Sequence, residues 1–352
     1  MTKYKSFKAY IFSLMKDERG GFADITVKGL LRFLSWIYAA AIKLIDWTYR
    51  SGIRREYRMD VPVVSVGNIT LGGTGKTPFT IFLADYFSAA EKRSAVLIRG
   101  YGRDESRMMK DELPEESIFV GQDRVRNARR AARSGWDVLI LDDGFQHRRI
   151  GRDLNILMLD SVSPFGNGFL FPRGILREPV SSLKRADIFV LTKTDRIDTE
   201  RRKDIVRELE KAAPGTPVVL TRHRPSFLTD VTGAAYPADS ISGKRVCLVS
   251  GIMDPGYFAF LTEEKGAIIV SRRDYPDHYR YRQTDIDSIR AECADKGIER
   301  IVVTKKDHVK IKELDTSGIE DKLFVLNVVI DIVEGKERFI AGLSSVNSGQ
   351  GA

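Results

Sequence analysis

A single loop, Gly67-Asn68-Ile69-Thr70-Leu71-Gly72-Gly73-Thr74-Gly75-Lys76-Thr77, brings glycines, a lysine and a hydroxyl together between an apolar run and a helix-opening Pro78. Those residue types in that order suit a phosphate. Glycines let successive backbone N–H groups turn inward around an anion, and the N-terminus of the following helix adds its dipole. Lys76 reaches terminal phosphate oxygens, and Thr77 can ligate Mg²⁺. The strict pattern has a glycine five residues before Gly75, where this chain has Thr70, and Gly72 and Gly73 supply flexibility nearby. The expected ligand is the triphosphate tail of a nucleotide, held by Asn68, Thr70, Gly72, Gly73, Thr74, Gly75, Lys76 and Thr77.

Two further clusters carry suitable chemistry. Asp142-Asp143-Gly144-Phe145-Gln146-His147-Arg148-Arg149 follows the run Val138 to Leu141, at the carboxyl end of an expected strand, where open α/β sheets place their ligands. Either Asp142 or Asp143 suits Mg²⁺, and the competing reading is a solvated turn. The loop from Asn167 to Pro179 mixes glycine and proline with Arg173 and Arg177. A planar guanidinium there can bind phosphate bidentately or stabilise a transferring group, unless Arg177 and Glu178 simply form a surface pair. Thr192-Lys193-Thr194-Asp195 resembles the base-reading element of GTPases, which leaves a GTP-binding switch or metal-insertion protein as the alternative. A basic scaffold that merely binds nucleotide is the non-enzymatic one.

The elements that must position these residues alternate from Val61 onward. Expected strands are Val61 to Val66, Ala95 to Ile98, Val138 to Leu141, Ile156 to Leu159, Ile188 to Leu191 and Val218 to Leu220. Expected helices are Pro78 to Ala90, Arg124 to Ala132 and Glu200 to Ala212. This alternation predicts an α/β fold, a P-loop NTPase-like, mostly parallel sheet flanked by helices. A turn-rich passage from Arg222 to Gly243 reads as an interdomain connection. A smaller α/β domain follows, with strands at Val246 to Ser250, Ala267 to Val270 and Arg300 to Val303 and helices near Gly256 to Leu261 and Thr284 to Ala294. The expected division is 1–58, 59–225, 226–243, 244–340 and a flexible tail at 341–352.

With 352 residues, 43% hydrophobic and 30% charged, the chain is an ordinary globular protein by composition, and two domains are the natural expectation. Its formal charge of +9 favours an anionic partner. Cys247 and Cys293 are far apart and suggest neither a disulfide framework nor a zinc site. The N-terminal segment is apolar only from Phe33 to Ile42, short of the roughly 18 residues that span a bilayer, and no signal-peptide pattern precedes it. Trp36, Tyr38, Trp47 and Tyr49 among basic residues suit a helix lying in a headgroup region, although a core helix fits the composition equally. Nucleic-acid binding is disfavoured, because the aromatics gather in this segment rather than alternating with basic residues on a strand platform.

The ordered motifs VPVVSVGNITLGGTGKTP, LIRGYGR, FVGQDR, LDDGFQHRRIGRDLNI, NGFLFPRGILREP and YPDHYRY resemble the tetraacyldisaccharide 4′-kinase (lipid A 4′-kinase) family over most of the chain, to about Asp307. The resemblance implies ATP- and Mg²⁺-dependent phosphorylation of a lipid disaccharide by a peripheral enzyme at the cytoplasmic face of the bacterial inner membrane, and a monomer is the expectation beside it. It also implies a larger P-loop domain beside a smaller one. The family's Gly-Asp-Glu-Pro motif falls on Arg103-Asp104-Glu105-Ser106, where this chain departs from it. Asp104 is thus the implied catalytic carboxylate and Asp111 the weaker option, with His278 of YPDH as its partner. The implied substrate contacts are Arg124, Gln146, His147, Arg177, Glu178 and Asp277, and Lys76, Arg177 and Asp143 join Asp104 and His278 in catalysis.

Overall fold

In the computed structural model, which describes residues 10–100 and 103–347 but not the side chains of 103–105 and 347, the β-branched runs assemble into one 12-stranded sheet. Its central strands β1 (Val63–Gly67), β4 (Val138–Asp142), β5 (Leu154–Asp160) and β6 (Ile188–Thr192) are buried almost throughout. Parallel strands covered on both faces read this way. Alternate residues feed different cores. Val64 and Val66 pack with Phe79, Leu83 and Phe87 on one face, whereas Val63 packs with Val125, Ala128 and Ala131 on the other.

β1 lies between β4 and β5, while β2 (Ser94–Ile98) and β3 (Ile118–Val120) continue beyond β4. The chain therefore leaves β1 toward one edge and later returns to its other side. The carboxyl ends of β1, β4, β5 and β6 thus border the kind of crevice in which such sheets bind ligands. β6 pairs with β7 (Val218–Asp230), and β7 pairs antiparallel with β12 (Leu323–Glu334). Beyond this seam β11 (Arg300–Thr304), β9 (Arg245–Ser250) and β10 (Ile268–Asp274) form a second parallel block, and the short β8 (Ala235–Pro237) sits against β7.

The structure departs from the sequence reading in three places. The passage expected to be a turn-rich connection, 226–243 included, begins as the far end of the long strand β7. Pro225 is accommodated there because it lies at a register shift opposite Val328, the kind of position where a strand tolerates proline. The tail expected over 341–352 is helical as far as Asn347. Phe339, Leu343 and Val346, spaced four and three apart, pack into the first core against Phe79 and Phe82, so the chain's end returns to the phosphate-loop half. The apolar N-terminal run belongs to a 29-residue helix, α1 (Phe22–Arg50), since Lys28, Arg32, Lys43 and Asp46 sit on it without breaking it. Among the described residues it is the one helix long and apolar enough to cross a membrane.

α1 is nevertheless fastened to the protein along one side. The Ser35 hydroxyl donates to Leu170 O at 2.7 Å and accepts from Arg173 N at 3.0 Å, and Tyr38 donates to Arg177 O at 3.0 Å. Asp46 pairs with Arg148. Phe22, Ile25, Trp36, Leu44 and Trp47 are exposed.

Candidate active site

β1 ends at Gly67, and the loop that follows turns into helix α2 (Lys76–Ala89) through Gly75, whose φ of 79° is accessible to glycine at little cost. Three elements brace this loop. From the basic loop, Arg177 N donates to Ile69 O and Leu71 N donates to Ile175 O, both at 2.6 Å, a short antiparallel pairing centred on Thr70 and Leu176. From the acidic turn, Gln146 Nε2 donates to Asn68 O at 2.9 Å. From the end of β6, the Thr192 hydroxyl donates to Thr74 O at 3.4 Å. Within the loop, Asn68 Nδ2 donates to Thr74 Oγ1 at 3.1 Å. Leu71 is thus the one residue of the loop whose amide is committed to a backbone carbonyl among the described loop contacts. The amides of Gly72, Gly73, Thr74 and Gly75 are available to an anion.

The acidic turn is held just as closely. Asp143 adopts φ 47°, and a β-carbon on the next residue, Gly144, would lie 2.5 Å from Ser65 Oγ, so the turn needs glycine there. This places Asp143 where Arg177 grips it in bidentate fashion, Nη1 to Oδ1 at 2.7 Å and Nη2 to Oδ2 at 3.0 Å, while Arg177 Nη1 also donates to Asn68 Oδ1 at 3.0 Å. Lys76 Nζ stands 3.6 Å from Asp143 Oδ1. The buried Arg124 donates to Asp143 O at 3.1 Å. Burial alone would raise the pKa of Asp143, but Lys76, Arg177 and Arg124 outweigh it and hold the carboxyl well below the usual range. Asp142, buried at the end of β4, accepts from the Thr80 hydroxyl at 3.1 Å. Burial, followed by the charges of Arg124 and Arg152, depresses His147 to about 4, so its imidazole is neutral at pH 7.

Three expected site residues have structural partners that sequence reasoning missed. Glu178 is buried as the counter-ion of Arg148 and Arg185, so it forms no surface pair with Arg177. Arg173 reaches Asp17 at 2.7 Å and stacks on Phe169, which turns it toward the N-terminal segment and away from the phosphate loop. Asp277 holds Lys306 at 2.8 Å and lies 3.6 Å from His278 Nε2. His278 itself sits at φ 59° in a half-exposed turn of the second block.

Asp104 falls in the first turn of helix α3 (Arg103–Lys110), and its side chain lies outside the described residues. The rest of that helix and the turn after it meet the helix Lys305–Ile311 and its following turn. Arg107 pairs with Glu313 at 2.7 Å, Lys312 with Asp111 at 3.3 Å, and Lys305 with Glu112. The weaker carboxylate candidate, Asp111, is therefore a seam ion pair. Lys306 on the same helix holds Asp277, so the segments bearing Asp104 and His278 share one anchor.

The GTPase-like run is also occupied by the protein itself. Both carboxylate oxygens of Asp195 accept from Tyr257 OH, at 3.0 and 3.1 Å, and Lys193 is buried between Asp160 and Asp254. A guanine-reading aspartate needs its carboxylate free for the base, so this geometry disfavours the GTP-switch alternative.

Comparison with known proteins shows the family. The family described as tetraacyldisaccharide-1-P 4′-kinase matches residues 27–347. The tetraacyldisaccharide 4′-kinase of Anaeromyxobacter dehalogenans (strain 2CP-C) is 35% identical over 87% of both chains. That of Halothermothrix orenii is 33% identical over 93% of this chain and 95% of its own. The crystal structure of LpxK from Aquifex aeolicus in complex with ATP superposes with a TM-score of 0.69 at 28% identity, covering 91% of this chain and 99% of that one. With a phosphate loop, an acidic turn and a basic loop arranged as above, and with relatives matching nearly end to end, the chain belongs to the tetraacyldisaccharide-1-P 4′-kinase family.

Proposed function

We propose that this chain transfers the γ-phosphoryl group of ATP to the 4′-hydroxyl of a tetraacylated glucosamine disaccharide 1-phosphate, giving lipid IVA in lipid A biosynthesis. One observation carries the reading. Lys76 and Arg177 converge with Asp142 and Asp143 on a braced glycine loop at the carboxyl edge of a parallel sheet, in a chain whose relatives are named for this reaction.

In the reaction the sugar oxygen bonds to the γ-phosphorus, the bond from that phosphorus to the β,γ-bridging oxygen breaks, ADP departs, and the hydroxyl proton passes to a base. We assign the base to Asp104, with His278 orienting it or raising its basicity. Lys76 and Arg177 are the cations for the oxygens of the transferring group. Thr77, Asp142 and Asp143 offer only hard oxygen donors, a set that suits Mg²⁺, and that ion when bound would neutralise β- and γ-phosphate charge. Arg124, His147 and Asp277 are assigned to the substrate, whereas Gln146 and Glu178 serve it indirectly by bracing the loop and its arginines.

The test is radiolabelled phosphate transfer from ATP, and separately from GTP, to a tetraacylated disaccharide 1-phosphate in detergent micelles. Transfer from ATP with far less from GTP is expected. A folded enzyme that moves no label from ATP sinks the assignment, and transfer from GTP alone would restore the switch reading.

The lipid side is assigned to α1, lying peripherally in the headgroup plane at the cytoplasmic face of the inner membrane, with the enzyme working as a monomer. Its hydrogen-bonded side faces the basic loop, and its exposed aromatics and cations suit the interface. Trp36→Glu together with Trp47→Glu should release the protein from anionic phospholipid vesicles in flotation. Unchanged flotation would remove this role from the helix.

A further inference from the structure

The Thr192–Asp195 run, whose aspartate accepts from Tyr257, stands at the seam between the two sheet blocks. Lys193 occupies the left-handed region at φ 57°, and its side chain is only 5% exposed. Its ammonium bridges two carboxylates from different blocks, Asp160 at the end of β5 at 2.5 Å and Asp254 in the loop after β9 at 2.7 Å. Burial disfavours the charge, but Asp160 and Asp254 outweigh it and raise the lysine's pKa. A non-glycine residue in this conformation costs energy, and it persists only where surrounding contacts impose it.

Asp254 has a second task. Its other oxygen, Oδ1, accepts from Tyr257 N at 2.9 Å and so caps the helix Pro255–Glu263, fixing where the second block's loop ends. The residue before it, Met253, lies against the phosphate loop: a β-carbon on Gly73 would be 3.3 Å from Met253 Cβ. On the other side of the seam His223, on β7, approaches Gly75 in the same way, at 3.2 Å from its ring. Tyr257 links the two contacts, accepting from His223 N and donating to Asp195. The second block thus bears directly on the glycines of the phosphate loop, and Lys193 is the charge that joins the blocks at that point.

We propose that Lys193 is a positioning residue for the phosphate loop, acting through Asp254 to seat Met253 against Gly73 and so fix the loop in its ATP-binding shape. The proposal rests on the phosphate-loop reading above. Replacing the lysine by an uncharged group of similar length leaves Asp160 and Asp254 facing each other without a cation, which drives the Met253 loop away. Removing one partner of a buried pair is costly for this reason.

The test is steady-state kinetics of the full-length enzyme in detergent micelles, varying ATP and lipid separately, with Lys193→Met, Lys193→Arg, Asp254→Asn and Met253→Ala. Lys193→Met is expected to raise the KM for ATP about tenfold or more with the KM for lipid little changed. Lys193→Arg should recover most of the loss. Met253→Ala should shift the same constant in the same direction and add little in the double variant with Lys193→Met. Should Lys193→Met fail to fold, Asp254→Asn carries the test, since that carboxylate is 41% exposed. An unchanged KM for ATP in the folded variant overturns the proposal, as does an equal rise in both Michaelis constants, the mark of a merely structural lysine. Lys76→Ala separates the two readings. If it loses activity while Lys193→Met behaves as wild type, only the positioning role falls, and if it stays fully active both do.

Discussion

Arg177→Ala is expected to lower kcat/KM by about 10²–10³-fold, and Arg177→Lys to recover little of it. The guanidinium satisfies three acceptors at once, both oxygens of Asp143 and Oδ1 of Asn68, in a fixed planar fork. An ammonium is a point charge on a flexible stem and cannot reproduce that geometry. The loss has two sources. A cation aimed at the transferring group disappears, and Asp143, relieved of its stronger partner, draws Lys76 closer than the present 3.6 Å and so competes with phosphate for it. The second effect should appear as a raised KM for ATP, and Arg177→Ala combined with Asp143→Asn should lessen that part without restoring kcat. Steady-state kinetics with ATP and the tetraacylated disaccharide 1-phosphate decide it. An Arg177→Lys enzyme within about threefold of wild type would mean that positive charge alone is needed there.

The sequence was most informative where chemistry and local structure coincide. The phosphate loop shows itself because strand, glycines, lysine and helix are contiguous, and the acidic turn because Asp-Asp-Gly follows a wholly apolar run. Long-range pairing was not readable. Nothing local in Leu323–Glu334 says that it will pair antiparallel with Val218–Asp230 and fuse two sheets into one, or that Phe339, Leu343 and Val346 will return to the first core. The bracing partners were hidden for the same reason. Gln146 and Glu178 stand within recognisable motifs, but their roles as a clasp on Asn68 and a counter-ion for Arg148 depend on segments about 30 to 80 residues away meeting in space. Lys193 shows how a motif misleads when its context is absent. Thr-Lys-Thr-Asp matches a base-reading element in letters, but Tyr257, contributed by the second block, takes the aspartate.

Asp104→Asn is expected to lower kcat by about 10²–10⁴-fold, the range of a lost general base, with the KM for ATP little changed, because a base for the sugar hydroxyl acts on the acceptor and not on the nucleotide. The substitution keeps size and hydrogen-bonding capacity, so a fall of this kind reports proton transfer and not packing. The acid limb of the pH–rate profile, which follows ionisation of the base, should vanish with the carboxylate. His278→Ala should cost less, since an imidazole that orients a base is one step removed from the proton. The two residues come from different sheet blocks, and what holds their segments in register is the seam between α3 and the helix Lys305–Ile311. Its ion pairs are partly exposed, Arg107 at 42% and Glu313 at 57%, and each such pair is worth only about 0–1 kcal/mol. Arg107→Glu should therefore slow turnover by only a few-fold, and adding Glu313→Arg should restore it if the pair aligns the helix for catalysis. Were Asp104→Asn to keep the wild-type rate and pH profile while Asp111→Asn lost both, the base would belong at Asp111. Its bond to Lys312 would then have to open during each turnover.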